Sequence, residues 1–148
     1  MKNIDLSILV EDTIIYIRVA CLIKTSRGFL FEKSRHGYVF ALGGKIKLGE
    51  SSYEAVTREI MEEVGIKVEK LKLRSVLENF FTNNNEKVQE ICFLYETDEE
   101  FVNAIPEEFV EISIDDIDKY DIRPKKLVDI IKDEKESFKH IIIKQKYT

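Results

Sequence analysis

Cysteine and histidine are both scarce in this chain, and their scarcity removes several chemistries at the outset. Its two cysteines, Cys21 and Cys92, stand in apolar, strand-like runs with no second cysteine or histidine at a spacing that could close a zinc site. They read as buried free thiols. The two histidines, His36 and His140, leave a histidine-centred triad little to draw on, and both read as surface residues. Only two prolines occur and no low-complexity tract, so nothing suggests disorder. Long apolar runs are missing too. The longest, Ile14 to Ile23, is broken by Arg18 and falls far short of the roughly 20 residues a membrane-spanning helix requires. Asp5, Glu11 and Asp12 precede it, which disfavours a signal peptide and makes the cytoplasm the expected compartment. Positive charge is also in deficit: a net charge of −5 gives no general attraction to a polyanion and argues against a nucleic-acid polymer as partner. Small nucleotides stay within reach, because a metal ion can supply the missing charge.

What is present fits one globular domain spanning residues 1–148. A chain of this length can bury roughly 70% of its unfolded surface, and 44% hydrophobic residues supply a core. Thr13–Lys24 is rich in β-branched residues, Ser26-Arg27-Gly28 reads as a turn and Phe29–Lys33 as a second strand, which together make a hairpin. A loop, Ser34–Gly37, leads to a short apolar piece, Tyr38–Leu42, expected to end in a sharp turn at Gly43-Gly44. Ser51 and Glu54 have capping-box spacing and Gly65 is a plausible C-cap, so a helix is predicted between them with Tyr53, Val56, Ile60 and Val64 as its core stripe. Leu71–Thr82 and Lys87–Glu96 read as strands joined by Asn83-Asn84-Asn85. The second is apolar on both faces, as a doubly covered strand should be. Ser113–Tyr120 and the run from Pro124 to about Lys132 look helical, and Ile141–Ile143 is apolar but of undecided type.

The chemistry concentrates in Gly44–Ile66, GKIKLGESSYEAVTREIMEEVGI. On a helical wheel Glu59, Glu62 and Glu63 fall within an arc of about 100°, beside the apolar stripe. Like charges so placed weaken a helix by a few tenths of a kcal/mol per pair, and a hard divalent cation such as Mg²⁺ offsets them through oxygen ligands. A solvated acidic face would look the same if the string stood alone. It does not stand alone. The segment resembles the Nudix box, G-x5-E-x7-R-E-U-x-E-E-x-G-U with U apolar, at every specified position: Gly44, Glu50, Arg58, Glu59, Ile60, Glu62, Glu63, Gly65 and Ile66. A chance match is on the order of one in a billion per start position.

The resemblance implies an α/β fold, a mixed β-sheet sandwiched between helices, and metal-dependent hydrolysis of a phosphoanhydride by water attack at phosphorus. The implied substrate is a nucleoside diphosphate linked to another group, X, or a nucleoside triphosphate. It also implies that Glu59, Glu62 and Glu63, with the Gly44 carbonyl, hold Mg²⁺ or Mn²⁺, that Arg58 orients a glutamate, and that Glu50 supports the loop or an outer metal shell. Two departures stand out: Leu42 replaces a usual proline and Lys47 a frequent acid. Lys45 and Lys47 are therefore candidates for a substrate phosphate, with plain exposed loop lysines as the equal alternative. For the general base, a box glutamate competes with Glu90, which interrupts the apolar Val88, Cys92, Leu94 face of its strand, and secondarily with Glu78. A structural ion pair explains either acid equally well. Phe80 either stacks on a base or belongs to the core. A non-catalytic Nudix domain sensing a nucleotide metabolite is the rival reading, and nothing in the sequence decides between a monomer and a homodimer.

Overall fold

The computed structural model describes residues 3–145. Ten strands and two α-helices follow one another as β1 (Ser7–Val10), β2 (Thr13–Lys24), β3 (Gly28–Lys33), β4 (Val39–Phe40), β5 (Leu42–Lys45), α1 (Ser52–Val64), β6 (Leu71–Asn83), β7 (Glu86–Thr97), β8 (Phe109–Ser113), β9 (Ile122–Arg123), α2 (Lys126–Lys132) and β10 (Lys139–Lys144). The segment Ser113–Tyr120, expected to be helical, contains a short 3-10 helix, Ile114–Lys119. The undecided Ile141–Ile143 piece lies in β10, paired parallel to β6.

Strand β2 organises the sheet. Along Thr13–Leu22 it pairs parallel with β7, and its other edge takes β1, then β5, then β3 in succession. Strands β6 and β7 form a long antiparallel hairpin whose two-residue loop, Asn84-Asn85, has φ of 51° and 66°. Asparagine tolerates that left-handed conformation, which a type I′ hairpin turn requires at both central positions. Beyond β2, strand β3 carries β8 on one edge and β4 on the other, and β4 pairs parallel with β9.

Side-chain alternation divides the core into two layers. Ala20 and Leu22 of β2, Leu77 of β6 and Cys92 and Leu94 of β7 pack with Leu127 and Ile130 of α2. Val19, Cys21 and Ile23 point the other way and pack with Ala55, Val56 and Ile60 of α1. Helices thus cover both faces of a mixed sheet, the sandwich expected from the sequence. Both cysteines are buried and free. Among the described residues no helix is long and apolar enough to cross a membrane.

Two local expectations are corrected. The double glycine does not turn the chain: Gly43 and Gly44 lie inside β5, paired with Ala20 and Val19. Their function there is close approach. A Cβ on Gly43 would meet the Val19 carbonyl and stand 2.8 Å from the Arg18 guanidinium, and one on Gly44 would run into the Glu59 carboxylate. On α1, Tyr53 is 43% exposed rather than core, its hydroxyl donating to the Glu69 carbonyl at 3.0 Å while its ring meets Tyr95 edge-on. The buried residues of α1 are Ala55, Val56, Glu59 and Ile60, so Val56 and Ile60 of the expected stripe are in the core and Glu59, expected beside the stripe, is buried with them.

Candidate active site

Helix α1 presents the acids, and its start is fixed by a reciprocal cap: the Ser51 hydroxyl accepts from the Glu54 N–H and the Glu54 carboxylate from the Ser51 N–H, both at 3.1 Å. The loop before it is tied down by Glu50, only 8% exposed, which accepts from the Lys47 N–H at 3.0 Å. Glu50 also receives a two-pronged bond from Arg58, Nε to Oε2 at 2.7 Å and Nη2 to Oε1 at 3.0 Å. This fork pulls the Glu50 carboxyl below its ordinary range. Of the two roles offered for Glu50, loop support is the one its bonds display.

Arg58 reaches further than one glutamate. Its Nη1 donates to Glu59 at 2.8 Å and to Glu62 at 3.3 Å, and its Nη2 to the Lys45 carbonyl at 3.2 Å. One guanidinium therefore links the loop, strand β5 and two box acids. Glu59 is buried against Gly44, and burial raises its pKa although Arg58 opposes the rise. Glu63 is raised to about 7, first by burial and then by the charges of Glu32 and Glu59. Its Oε2 is buried without a hydrogen-bond partner. Glu62 sits at the solvent edge with its side chain 53% exposed. Among the described residues no three acidic, thiol or imidazole groups are gathered closely enough to hold a metal as they stand, since Arg58 draws Glu59 and Glu62 toward itself. The donor chemistry nevertheless suits a hard cation: crowded carboxylates, one with an unsatisfied buried oxygen, beside a strand whose glycine leaves room for them.

Two cavities open here. One of about 320 Å³ is bounded by Glu63, Glu32, Gly44 and Lys45, and a larger one of about 560 Å³ by Tyr38, Asn79, Phe80, Phe81, Glu90 and Arg123 among others. Tyr16, Arg18 and Phe40 line both and form the partition between them. Glu90 lies in the larger cavity, 6% exposed, where Asn79 Nδ2 donates to it at 2.5 Å and Arg18 stands 3.6 Å away. The structure therefore faces Glu90 toward Arg18 from within that cavity. Glu78 pairs at 2.5 Å with His140.

Of the candidate substrate residues, Lys45 borders the smaller cavity with its Nζ 4.8 Å from the Tyr16 ring centre, and Phe80 borders the larger one with Lys144 over its ring. Lys47 lines neither; its backbone forms an isolated antiparallel β-bridge with Asp5. Sequence reasoning missed Arg18 and Glu32. Arg18 carried the same signal that singled out Glu90, a charge interrupting an apolar strand, and Glu32 follows Phe29-Leu30-Phe31 in the same manner.

The comparisons agree with this architecture. A family model for the Nudix domain matches residues 16–133. The mutator MutT protein from Bacillus halodurans superposes with a TM-score of 0.61 at 25% identity, over 75% of this chain and 76% of that one. The MutT protein from Methanosarcina mazei Go1 does so with 0.63 at 24%, over 83% and 94%. An ADP-ribose pyrophosphatase from Streptococcus suis gives 0.55 at 16%, over 84% and 98%. With the family model covering most of its length and every specified position of the box in place, the chain belongs to the Nudix hydrolase family, whose members cleave phosphoanhydrides.

Proposed function

We propose that this enzyme hydrolyses a phosphoanhydride bond in a nucleoside triphosphate or in a nucleoside diphosphate linked to X, with Mg²⁺ or Mn²⁺ as its cation. The observation that supports this most is the adjacency of the two cavities, an acidic one that suits a cation and phosphates and an aromatic one that suits a base, which share Tyr16, Arg18 and Phe40 in their walls.

In this reading Glu59 and Glu63, with Glu62 at the edge and the Gly44 carbonyl, hold the cation, which when bound neutralises phosphoryl charge and eases deprotonation of water. Arg58 fixes Glu59 and ties it to the Glu50 loop. Lys45 offers charge to a phosphate at the mouth of the acidic cavity, and Phe80 and Phe81 offer aromatic faces to a base. We assign proton acceptance to Glu63, through the carboxylate oxygen it does not give to the cation, ahead of Glu90, whose carboxylate is engaged by Asn79.

The decisive assay is a panel of nucleoside triphosphates, nucleotide sugars, ADP-ribose, NADH and dinucleoside polyphosphates, read by phosphate or nucleotide release. Turnover of at least one class with Mg²⁺ or Mn²⁺, lost in chelator and reduced more by Glu63→Gln than by Glu90→Gln, is expected. Full activity in excess chelator would remove the cation from the mechanism. A larger loss in Glu90→Gln would transfer the base role to Glu90. Binding of panel members without turnover would favour a sensor.

A further inference from the structure

Two arginines of the sheet, Arg74 buried and Arg18 half-buried, are bonded differently. Arg74 is 2% exposed and uses its guanidinium structurally, Nη1 donating to Glu96 and Nη2 to the Ile130 carbonyl, each at 2.8 Å. Arg18 has no such ties. Its Nε is buried without a partner, and its ion pair with Glu90 is loose at 3.6 Å, too long for a hydrogen bond. The side chain retains 28% exposure, and that exposed part borders both cavities. Gly43 leaves room for the guanidinium on the strand side. A planar group with five donors, held in a pocket wall with most of them unspent, is suited to oxygens brought by a ligand.

We infer that Arg18 is a substrate-binding residue that grips a non-bridging oxygen of the phosphate chain where it crosses from the aromatic cavity into the acidic one. The inference rests on the hydrolase reading above. Four carboxylates surround the position: Glu90 on the aromatic side and Glu32, Glu59 and Glu63 on the acidic side. Arg18 and the cation would divide the phosphate charge between them, the cation among the three acids and Arg18 at the partition. Glu90 then acts as a positioning residue. Its weak hold keeps the guanidinium aimed across the partition without using up its donors.

The test uses inorganic pyrophosphate as probe with Ca²⁺ as cation, so that titration calorimetry reads affinity without turnover. Arg18→Gln is expected to weaken pyrophosphate at least about tenfold, and Arg18→Lys to restore only part, since an ammonium keeps the charge and loses the fork. Glu90→Gln should weaken pyrophosphate by a smaller factor than Arg18→Gln, because the guanidinium keeps its charge and its donors and loses only the group that aims it. Wild-type affinity in both Arg18 variants overturns the inference, as does a wild type that binds no pyrophosphate. So does a Glu90→Gln loss as large as that of Arg18→Gln, which would make the two a structural pair. If Arg18→Gln does not fold, Arg18→Lys alone decides. Failure of the hydrolase reading looks different: pyrophosphate binds through Arg18, yet no nucleotide in the panel is cleaved.

Discussion

Gly44 in strand β5 and Gly49 in the loop that follows illustrate how differently a single residue can matter. Gly44 has ordinary backbone angles, and its missing side chain makes room for Glu59. Gly49 has φ of 88° with nothing near the place where a Cβ would be. Gly44→Ala should therefore act mainly on chemistry, displacing the Glu59 carboxylate and lowering turnover at least about tenfold, with an overpacking cost of about 1–3 kcal/mol. Gly49→Ala should act on the backbone alone, at about 1–2 kcal/mol for a left-handed residue bearing a Cβ, with turnover close to wild type. Thermal melts and rates on the two variants check this, and equal rate losses would contradict the assignment of Gly44 to Glu59. Arg58 teaches a related lesson. The resemblance implied that it orients a single glutamate, and the Glu50 fork is there, but the side chain is long enough to serve Glu59 and Glu62 as well.

At the scale of elements, what was legible in the sequence is what depends on near neighbours in the chain. The first hairpin, the capping box, the Gly65 cap with φ of 73° and the asparagine turn all follow from residues within a few positions of one another. The approach of Arg18 and Glu32 to Glu63 does not, because three separate elements bring them together. The edge strand β10 combines both cases: its apolar triplet was visible, but its type depended on β6 more than 60 residues earlier, where the Ser75 hydroxyl donates to the Lys139 carbonyl at 2.6 Å. The connection from α2 into β10 is organised by Asp133, whose carboxylate accepts from the Lys135 and Ser137 N–H groups and the Ser137 hydroxyl and pairs with Lys139. The Ser137 hydroxyl first, then the backbone bonds and Lys139, hold its pKa at about 2. A carboxyl lowered by folding contributes stability that is complete above its unfolded value of 3.8 and is lost as pH falls toward the folded value of about 2. Asp133→Asn should flatten the melting-temperature profile across that acid window, and a profile as steep as wild type would show that the connection contributes nothing there.

For the whole molecule, the acidic pocket sets stability against function. Glu59 and Glu63 are partly withdrawn from water and repel each other, so the cation-free protein carries a cost that a cation would relieve. A cation that binds only the folded state adds about 2.7 kcal/mol at a hundredfold excess over its Kd. Wild type should therefore melt higher when Mg²⁺ is added. Glu63→Gln should melt at or above the wild-type temperature without Mg²⁺ and gain much less with it. Calorimetry of the two proteins with and without Mg²⁺ checks this, and equal gains would defeat the assignment of Glu63. Strand β2 has a consequence of another kind. It bears Tyr16 and Arg18, yet its parallel partner is β7, with Thr13 waiting for Lys87 and Leu22 for Glu96. Such distant pairing must pay the entropy of closing a long loop before any contact rewards it. On the ribosome, the residues of β2 that line both cavities emerge more than 70 residues before their β7 partners, so that edge stays open to chaperones or to aggregation through a long stretch of the protein's birth.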